Sequence, residues 1–167
     1  TVTMTGTLTG ADHPSFAFAS ASSVPTIDLR NNIFTSTGST GANLNRALGL
    51  AYSTFTNLTS NNNDLFVSGT GAAAVQTVTL TNSGATSYTT LANWTTASTK
   101  DANSVNAAPV FVSSTDLHLV PTNASNVTNL NAKAAVVSVT TDIDCANRNA
   151  STPDIGADEF DGCVPST

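Results

Sequence analysis

Charged side chains are scarce in this chain: they make up 10% of its 167 residues, and Glu occurs once and Lys twice. The strong helix formers of exposed helix faces are therefore nearly absent. Ser, Thr and Asn supply about two residues in five instead, and Thr and Val favour strands. Because 40% of the residues are hydrophobic, the composition is not that of a disordered chain. It predicts an all-β protein of extracellular type.

Basic residues and long apolar runs are also lacking. Five Lys and Arg residues stand against eleven acids, giving a net charge of −6. Nucleic acids and anionic membranes need a basic face, so neither is predicted as a partner. No apolar run approaches the roughly 20 residues of a spanning helix, and membrane insertion is not expected. Because the chain starts at Thr1 without a recognisable signal peptide, we interpret it as a mature protein or an excised portion.

Only two cysteines occur, Cys145 and Cys163. In an exported protein an even number of cysteines favours a disulfide, and closing a loop of this size would contribute ~3 kcal/mol. No pair of histidines accompanies them, so a cysteine-based metal site is weakly indicated. The sequence favours a disulfide over two free thiols.

The hydrophobic pattern is that of short strands. Residues 1–9 alternate Thr with apolar side chains, which is the period of a half-buried strand. Later apolar runs, including 110–112 and 134–139, are short and separated by turn residues. Asn-rich groups at 31–32 and 61–63 are spaced so that their side chains could stack and hydrogen-bond along a solenoid, which we favour over a sandwich.

One helical excursion is expected near Thr90–Thr99. Thr90 can cap it, and Leu91 with Trp94 forms an i, i+3 pair. No linker-like segment divides the chain, so a single domain is predicted over 1–167, with its closing segment at 142–163.

Several short stretches, in a fixed order, resemble secreted right-handed parallel β-helix proteins of Bacteroidetes type. The most specific is the D-I-G-A-D-E-F segment at 154–160. The others lie at 29–34, 63–65, 91–94, 101–105, 109–112, 116–119 and 142–144. The resemblance implies a right-handed parallel β-helix on an exported polypeptide. In such proteins this segment ends the helix, and a sorting domain for type IX secretion often follows. Cys145 departs from the pattern, because a glycine is common there.

Six of the eleven acids fall between 142 and 161, together with Arg148. We interpret this cluster as a polar clasp that closes the fold, with Arg148 pairing with carboxylates. The residues of the predicted clasp are Asp142, Asp144, Arg148, Asp154, Asp158 and Glu159. The alternative is a Ca²⁺ site, although the spacing does not match an EF-hand. Its ligands would be Asp142, Asp144, Asp158 and Asp161.

No catalytic residues are predicted. Acids outside the cluster are scattered, and a Ser–His–acid triad has no support. His118 alternates with leucines in Asp116-Leu-His-Leu, which favours a solvent-facing strand residue over a ligand. A polysaccharide lyase or hydrolase stays open as an alternative, because paired carboxylates can cleave glycosides.

The expected function is therefore non-catalytic binding outside the cell or on the bacterial outer surface, as an adhesin or scaffold. The partners would be glycans or other cell-surface proteins, and no cofactor other than possible Ca²⁺ is implied. Candidate stacking platforms are Trp94, Tyr52 and Tyr88, although Trp94 also suits the core. A second alternative is an ice-binding solenoid, suggested by the Thr rows at 1–9 and 77–81.

Overall fold

The computed structural model describes residues 1–4, 13–18, 25–38, 45–69, 73–77 and 86–163. Short strands fill the first half of the chain, and two short helices follow. The strands are β1 (Val2–Met4), β2 (His13–Phe18), β3 (Ile27–Arg30), β4 (Ile33–Ser36), β5 (Asn45–Leu50), β6 (Leu58–Asn61), β7 (Asp64–Val67), β8 (Ala73–Thr77) and β9 (Thr86–Tyr88). The helices are α1 (Leu91–Ser98) and α2 (Ala124–Asn129).

Most strand pairs are parallel, and in each parallel pair the partner is the strand three strands further along. Strands β1, β4 and β7 form one sheet, β3 and β6 a second, and β2, β5 and β8 a third, to which β9 adds an antiparallel edge. Ile27 pairs with Leu58 and Ile33 with Asp64. This spacing brings Asn32 and Asn63 together, and the Asn32 side chain donates to Asn63 Oδ1 at 3.3 Å. The stacked asparagines expected from the sequence are present at this pair.

The prediction of an all-β, right-handed parallel β-helix is wrong. The described strands form small sheets and no closed solenoid, and a second helix, α2, follows in place of further strands. Between 99 and 163 the backbone forms turns, α2 and isolated bridges such as Phe111 with Leu119. Many Asn, Asp and Ser side chains there bond to the backbone, which competes with strand pairing. The apolar runs predicted as strands leave Val112 57% and Val136 60% exposed.

Helix α1 confirms the predicted excursion. The Thr90 hydroxyl accepts a hydrogen bond from the Asn93 backbone N–H at 3.1 Å, as an N-cap does. The helix ends at Thr99, whose φ of 60° is left-handed. Because the capping signals are local, the sequence alone was sufficient to place this element.

The core has two clusters that meet around β4. In the first, Trp94 is fully buried, with its ring centroid 4.9 Å from that of Phe55 and 5.3 Å from that of Tyr88. In the second, Ile33 packs with apolar residues of the C-terminal half. These partners are Leu119, Leu130, Ile155 and Phe160. The closing segment is therefore held against the sheets by apolar burial as well as by polar contacts.

Asn63 is the centre of a buried polar network. Its amide oxygen accepts from the Asn32 backbone N–H at 2.9 Å, and its amide nitrogen donates to the Leu29 carbonyl at 2.8 Å and to Asp101 Oδ1 at 3.0 Å. The other oxygen of Asp101 accepts from Trp94 Nε1 at 2.7 Å. Through its bonds to Leu29 and Asn32, the side chain of Asn63 connects the segment after β6 to the region of β3. Through Asp101 it is also connected to the segment after α1 and to the aromatic core around Trp94.

Asp64, the next residue, is fully buried at the start of β7. Its Oδ1 accepts from the Ala107 backbone N–H at 3.0 Å, while Oδ2 has no hydrogen-bond partner among the described residues. Burial raises the pKa of Asp64 to about 7, and the bond from Ala107 only partly opposes this. The carboxyl group therefore keeps its proton to a much higher pH than a solvent-exposed aspartic acid does.

We expect Asp64→Asn to remove part of the pH dependence of stability. The pKa of Asp64 is about 7 in the folded chain and about 3.9 in the unfolded chain. The folded state therefore holds the extra proton between these values, and its stability falls as pH rises through that window. Between pH 4 and pH 8.5, the free energy of unfolding of Asp64→Asn should rise by on the order of 3 kcal/mol relative to that of wild type, because only wild type loses the stabilising proton. Urea denaturation of both proteins at the two pH values measures the change. If the stability of wild type and of Asp64→Asn varies in the same way with pH, the pKa of Asp64 is not raised by folding.

Candidate functional site

Arg148 lies at the centre of the closing segment, with its side chain only 9% exposed. Its Nε is 3.3 Å from Glu159 Oε2, and Glu159 is itself 15% exposed. The two terminal nitrogens donate to the Gly156 carbonyl at 3.0 Å and to the Asp154 carbonyl at 2.6 Å. The guanidinium therefore contacts three residues of 154–159, and Glu159 is its carboxylate partner.

The other predicted clasp residues bond to backbone amides. Asp154 accepts from the Ala132 N–H at 2.6 Å and from the Phe160 N–H at 2.8 Å. Burial raises the pKa of Asp154 to about 6, although these two bonds oppose the shift. Asp158 Oδ2 accepts from the Leu119 N–H at 2.8 Å. These two carboxyl groups therefore join the closing segment to 119–132.

Asp142 organises the turn at 142–146. Its Oδ1 accepts from the backbone N–H groups of Asp144 at 2.9 Å and Ala146 at 2.8 Å, and Oδ2 accepts from the Glu159 N–H at 3.4 Å. Burial acts to raise the pKa of Asp142, but these amides and the Arg148 charge outweigh it and lower that pKa. Both oxygens are occupied in holding the backbone.

Asp144 instead contacts a histidine. Its Oδ2 lies 3.0 Å from His118 Nε2, while His118 Nδ1 lies 2.5 Å from Asp116 Oδ1. The hydrogen bond to Asp116 raises the pKa of His118, and the negative charges of Asp144 and Asp158 add to this despite partial desolvation. The expectation of a solvent-facing strand residue is wrong, because His118 is half-buried and outside the strands.

Only part of this cluster could have been found from the sequence. In an extended chain Asp116 and His118 lie on the same side, because they are two residues apart. The contact with Asp144 joins residues 26 apart, and no local pattern encodes it.

The proposed Ca²⁺ ligands do not come together as a set. Asp144 and Asp158 converge with His118, their ligand atoms lying within 4.8 Å of one another. Asp142 is committed to backbone amides, and Asp161 is exposed and outside this group. Oxygen ligands suited to Ca²⁺ are therefore fewer than predicted.

The predicted disulfide is absent: Cys145 and Cys163 are free and exposed. Cys145 belongs to the turn organised by Asp142 and has a left-handed φ of 64°. Cys163 is held elsewhere, by a hydrogen bond from its N–H to the Pro121 carbonyl at 3.0 Å. The backbone at Cys163 is thus bonded to Pro121, outside the turn that contains Cys145.

The aromatic platforms do not form a binding surface. Trp94 is fully buried, Tyr52 is 4% exposed, and Tyr88 is half-buried against Trp94. Burial raises the pKa of Tyr52 to about 12. Their place is the core.

The Thr row expected for ice binding is described only in part. Residues 5–9 and 78–81 lie outside the described residues. The Thr35 hydroxyl donates to the Thr3 hydroxyl at 2.5 Å, and Thr35 is buried. At this pair the Thr hydroxyls bond to each other.

A groove of about 780 Å³ runs between the segment 136–157 and the turn after β3. Exposed aliphatic side chains line it: Val136 and Val139 are 60% exposed and Ile143 is 59% exposed. Amide, hydroxyl and guanidinium groups surround them, contributed by Arg30, Asn31, Asn32, Thr140, Thr141, Asn147 and Asn149. We call it the valine groove. Its volume falls within the range of about 300–1,000 Å³ that is usual for small-molecule sites.

Comparison of the chain with known protein families, curated proteins and solved structures found no match. Within the described ranges, neither helix has the length and apolar character needed to cross a membrane.

Proposed function

We propose that the chain is a non-catalytic binding module that acts outside the cell and holds carbohydrate in the valine groove. The observation that carries this proposal is the side-by-side placement of exposed aliphatic and amide or hydroxyl groups. A sugar ring presents C–H faces that pack on aliphatic carbon and hydroxyl groups that need hydrogen-bond partners. A binding site for it therefore needs both kinds of group.

Arg30 supports this choice of ligand. Its Nε and one terminal nitrogen are bonded to the two Asp28 oxygens at 2.8 and 2.6 Å. The pair has little net charge, and its geometry fixes the guanidinium at the groove edge. Neutral polyhydroxylated ligands suit such an edge better than strongly charged ones.

The acidic content of the groove favours binding without turnover. Glycoside hydrolysis uses two carboxyl groups about 5–9.5 Å apart. Among the described lining residues Asp142 is the one acid, and its oxygens are engaged by backbone N–H groups. The lyase or hydrolase alternative gains no support from this groove.

An extracellular location is proposed on composition. The scarcity of charge and the abundance of Ser, Thr and Asn suit a surface that meets glycans through hydrogen bonds. The net charge of −6 disfavours nucleic acid as the ligand.

Glycan-array screening followed by calorimetry on the best glycan tests the proposal. Asn147→Ala and Ile143→Ala should each weaken binding about tenfold, because an unmatched polar group or lost apolar contact costs about 1–3 kcal/mol. Asn57→Ala and Val112→Ala are matched controls, since both side chains are exposed and lie outside the groove. If the groove variants and the control variants change the affinity equally, the glycan does not bind in the valine groove. If no glycan on the array binds, carbohydrate is not the ligand. Depolymerisation of a bound glycan would point to an enzyme instead.

A further inference from the structure

Three carboxylates converge on His118. Asp116 and Asp144 contact the two ring nitrogens of His118. A carboxylate oxygen of Asp158 lies within 4.8 Å of a His118 ring nitrogen and of a carboxylate oxygen of Asp144. A protonated imidazole would supply one positive charge against three negative charges. In the described part of the chain neither Lys nor Arg forms an ion pair with these carboxylates. The cluster therefore has an excess of negative charge that a divalent cation would neutralise.

The orientation of the imidazole is fixed. When Nδ1–H donates to Asp116 Oδ1, the lone pair of Nε2 is directed toward Asp144. A carboxylate on the far nitrogen is the usual companion of a metal-bound histidine, because it sets the tautomer and makes the ligand nitrogen more basic. Without a cation, the contact of 3.0 Å between Nε2 and Asp144 Oδ2 is a hydrogen bond of the protonated imidazole, and a metal ion at Nε2 would take the place of that proton.

We propose that His118, Asp144 and Asp158 bind a divalent transition-metal ion of the zinc type, with Asp116 as the positioning residue. One imidazole and two carboxylates form a donor set suited to such ions, whereas Ca²⁺ takes oxygen ligands. Zinc ligands lie about 2.0–2.2 Å from the metal, so the group must contract. The Asp144 side chain is 63% exposed, so solvent rather than packed protein surrounds most of it, while Asp158 is 7% exposed and anchored by the Leu119 N–H.

The site joins two parts of the chain. Asp116 and His118 lie between Phe111 and Leu119, which form an antiparallel bridge. Asp144 and Asp158 belong to the closing segment. A bound ion would hold these parts together. Binding to the folded state alone raises the melting temperature in proportion to the logarithm of metal concentration.

Zinc titration by calorimetry on the full chain tests the proposal. The titration is carried out on a Cys145→Ser/Cys163→Ser background, because both thiols are exposed and thiolates bind zinc. We expect one Zn²⁺ per chain, with affinity at least tenfold weaker in His118→Gln and in Asp144→Asn. Asp116→Asn should weaken it about 10- to 100-fold. Asp161→Asn, in the same acidic segment but outside the cluster, should have no effect.

The ring nitrogens give a second readout that does not depend on how well each variant folds. In ¹⁵N-correlated spectra of the chain with both cysteines replaced, saturating Zn²⁺ should shift Nε2 of His118, while Nδ1 keeps the signal of a protonated donor. An unchanged Nε2 signal would overturn the proposal. So would binding that survives His118→Gln, binding that disappears when the cysteines are replaced, or a preference for Ca²⁺ that depends on Asp161.

Discussion

Arg148→Met is expected to destabilise the protein by about 3–5 kcal/mol, because removing one partner of a buried ion pair leaves the other charge uncompensated. Glu159 would lose its guanidinium partner, and the carbonyls of Asp154 and Gly156 would lose their donors. Methionine keeps much of the side-chain length without the hydrogen bonds. Denaturant unfolding followed by circular dichroism measures the loss.

Arg30→Met is the matched control. Its partner Asp28 is 54% exposed and Arg30 is 36% exposed, and exposed ion pairs contribute little to stability. A small effect for Arg30→Met beside a large one for Arg148→Met is the expected result. If the double variant Arg148→Met/Glu159→Met is less destabilised than Arg148→Met alone, the buried unpaired charge is the cause. If Arg148→Met and Arg30→Met lower the free energy of unfolding equally, the interpretation of Arg148 as the centre of a clasp is contradicted.

Asn63→Ala is expected to cost about 3–5 kcal/mol, since several buried groups would each lose a hydrogen bond, and a buried group left unsatisfied costs about 1–3 kcal/mol. The Asn32 N–H would lose its acceptor, and the Leu29 carbonyl and Asp101 Oδ1 would lose a donor. Because Asp101 also holds Trp94 Nε1, the fluorescence of the single tryptophan should change as well.

Asn57→Ala serves as the control for Asn63→Ala. Asn57 is exposed, so its truncation should change the free energy of unfolding by no more than about 0.5 kcal/mol. A similarly small loss for Asn63→Ala, with unchanged fluorescence, would mean that the network does not stabilise the core.

The sequence predicted the elements that depend on local signals. Thr90 marks the start of α1 through its capping bond, and the spacing of the asparagine groups anticipated the contact between Asn32 and Asn63. The capping bond follows from a short-range rule, whereas the asparagine contact joins residues 31 apart and follows from the repeat spacing of the sequence.

The second half was predicted less well because its order comes from long-range polar contacts. Asp154, for instance, bonds to Ala132, 22 residues away, and nothing in the local pattern names that partner. The apolar run at 134–139 suggested a strand, yet the Val139 side chain is 60% exposed beside the groove. A short apolar run does not distinguish a core strand from an exposed groove wall.

The acidic segment was predicted to be a clasp, and the structure divides its residues between two arrangements. Glu159 faces Arg148, whereas Asp144 faces His118. Composition identified the density of charge, but only the fold determines which carboxylate meets which base. Resemblance to β-helix proteins likewise suggested the parallel pairing of early strands but not the end of strand structure after β9.

The most direct test of the binding function is an amide ¹H–¹⁵N NMR titration of the chain with its best array glycan. If the valine groove binds carbohydrate, the amides that shift should be those of 30–32 and 136–147, while that of Trp94 should stay in place. Shifts concentrated elsewhere, with the groove amides unchanged at saturation, would contradict the account.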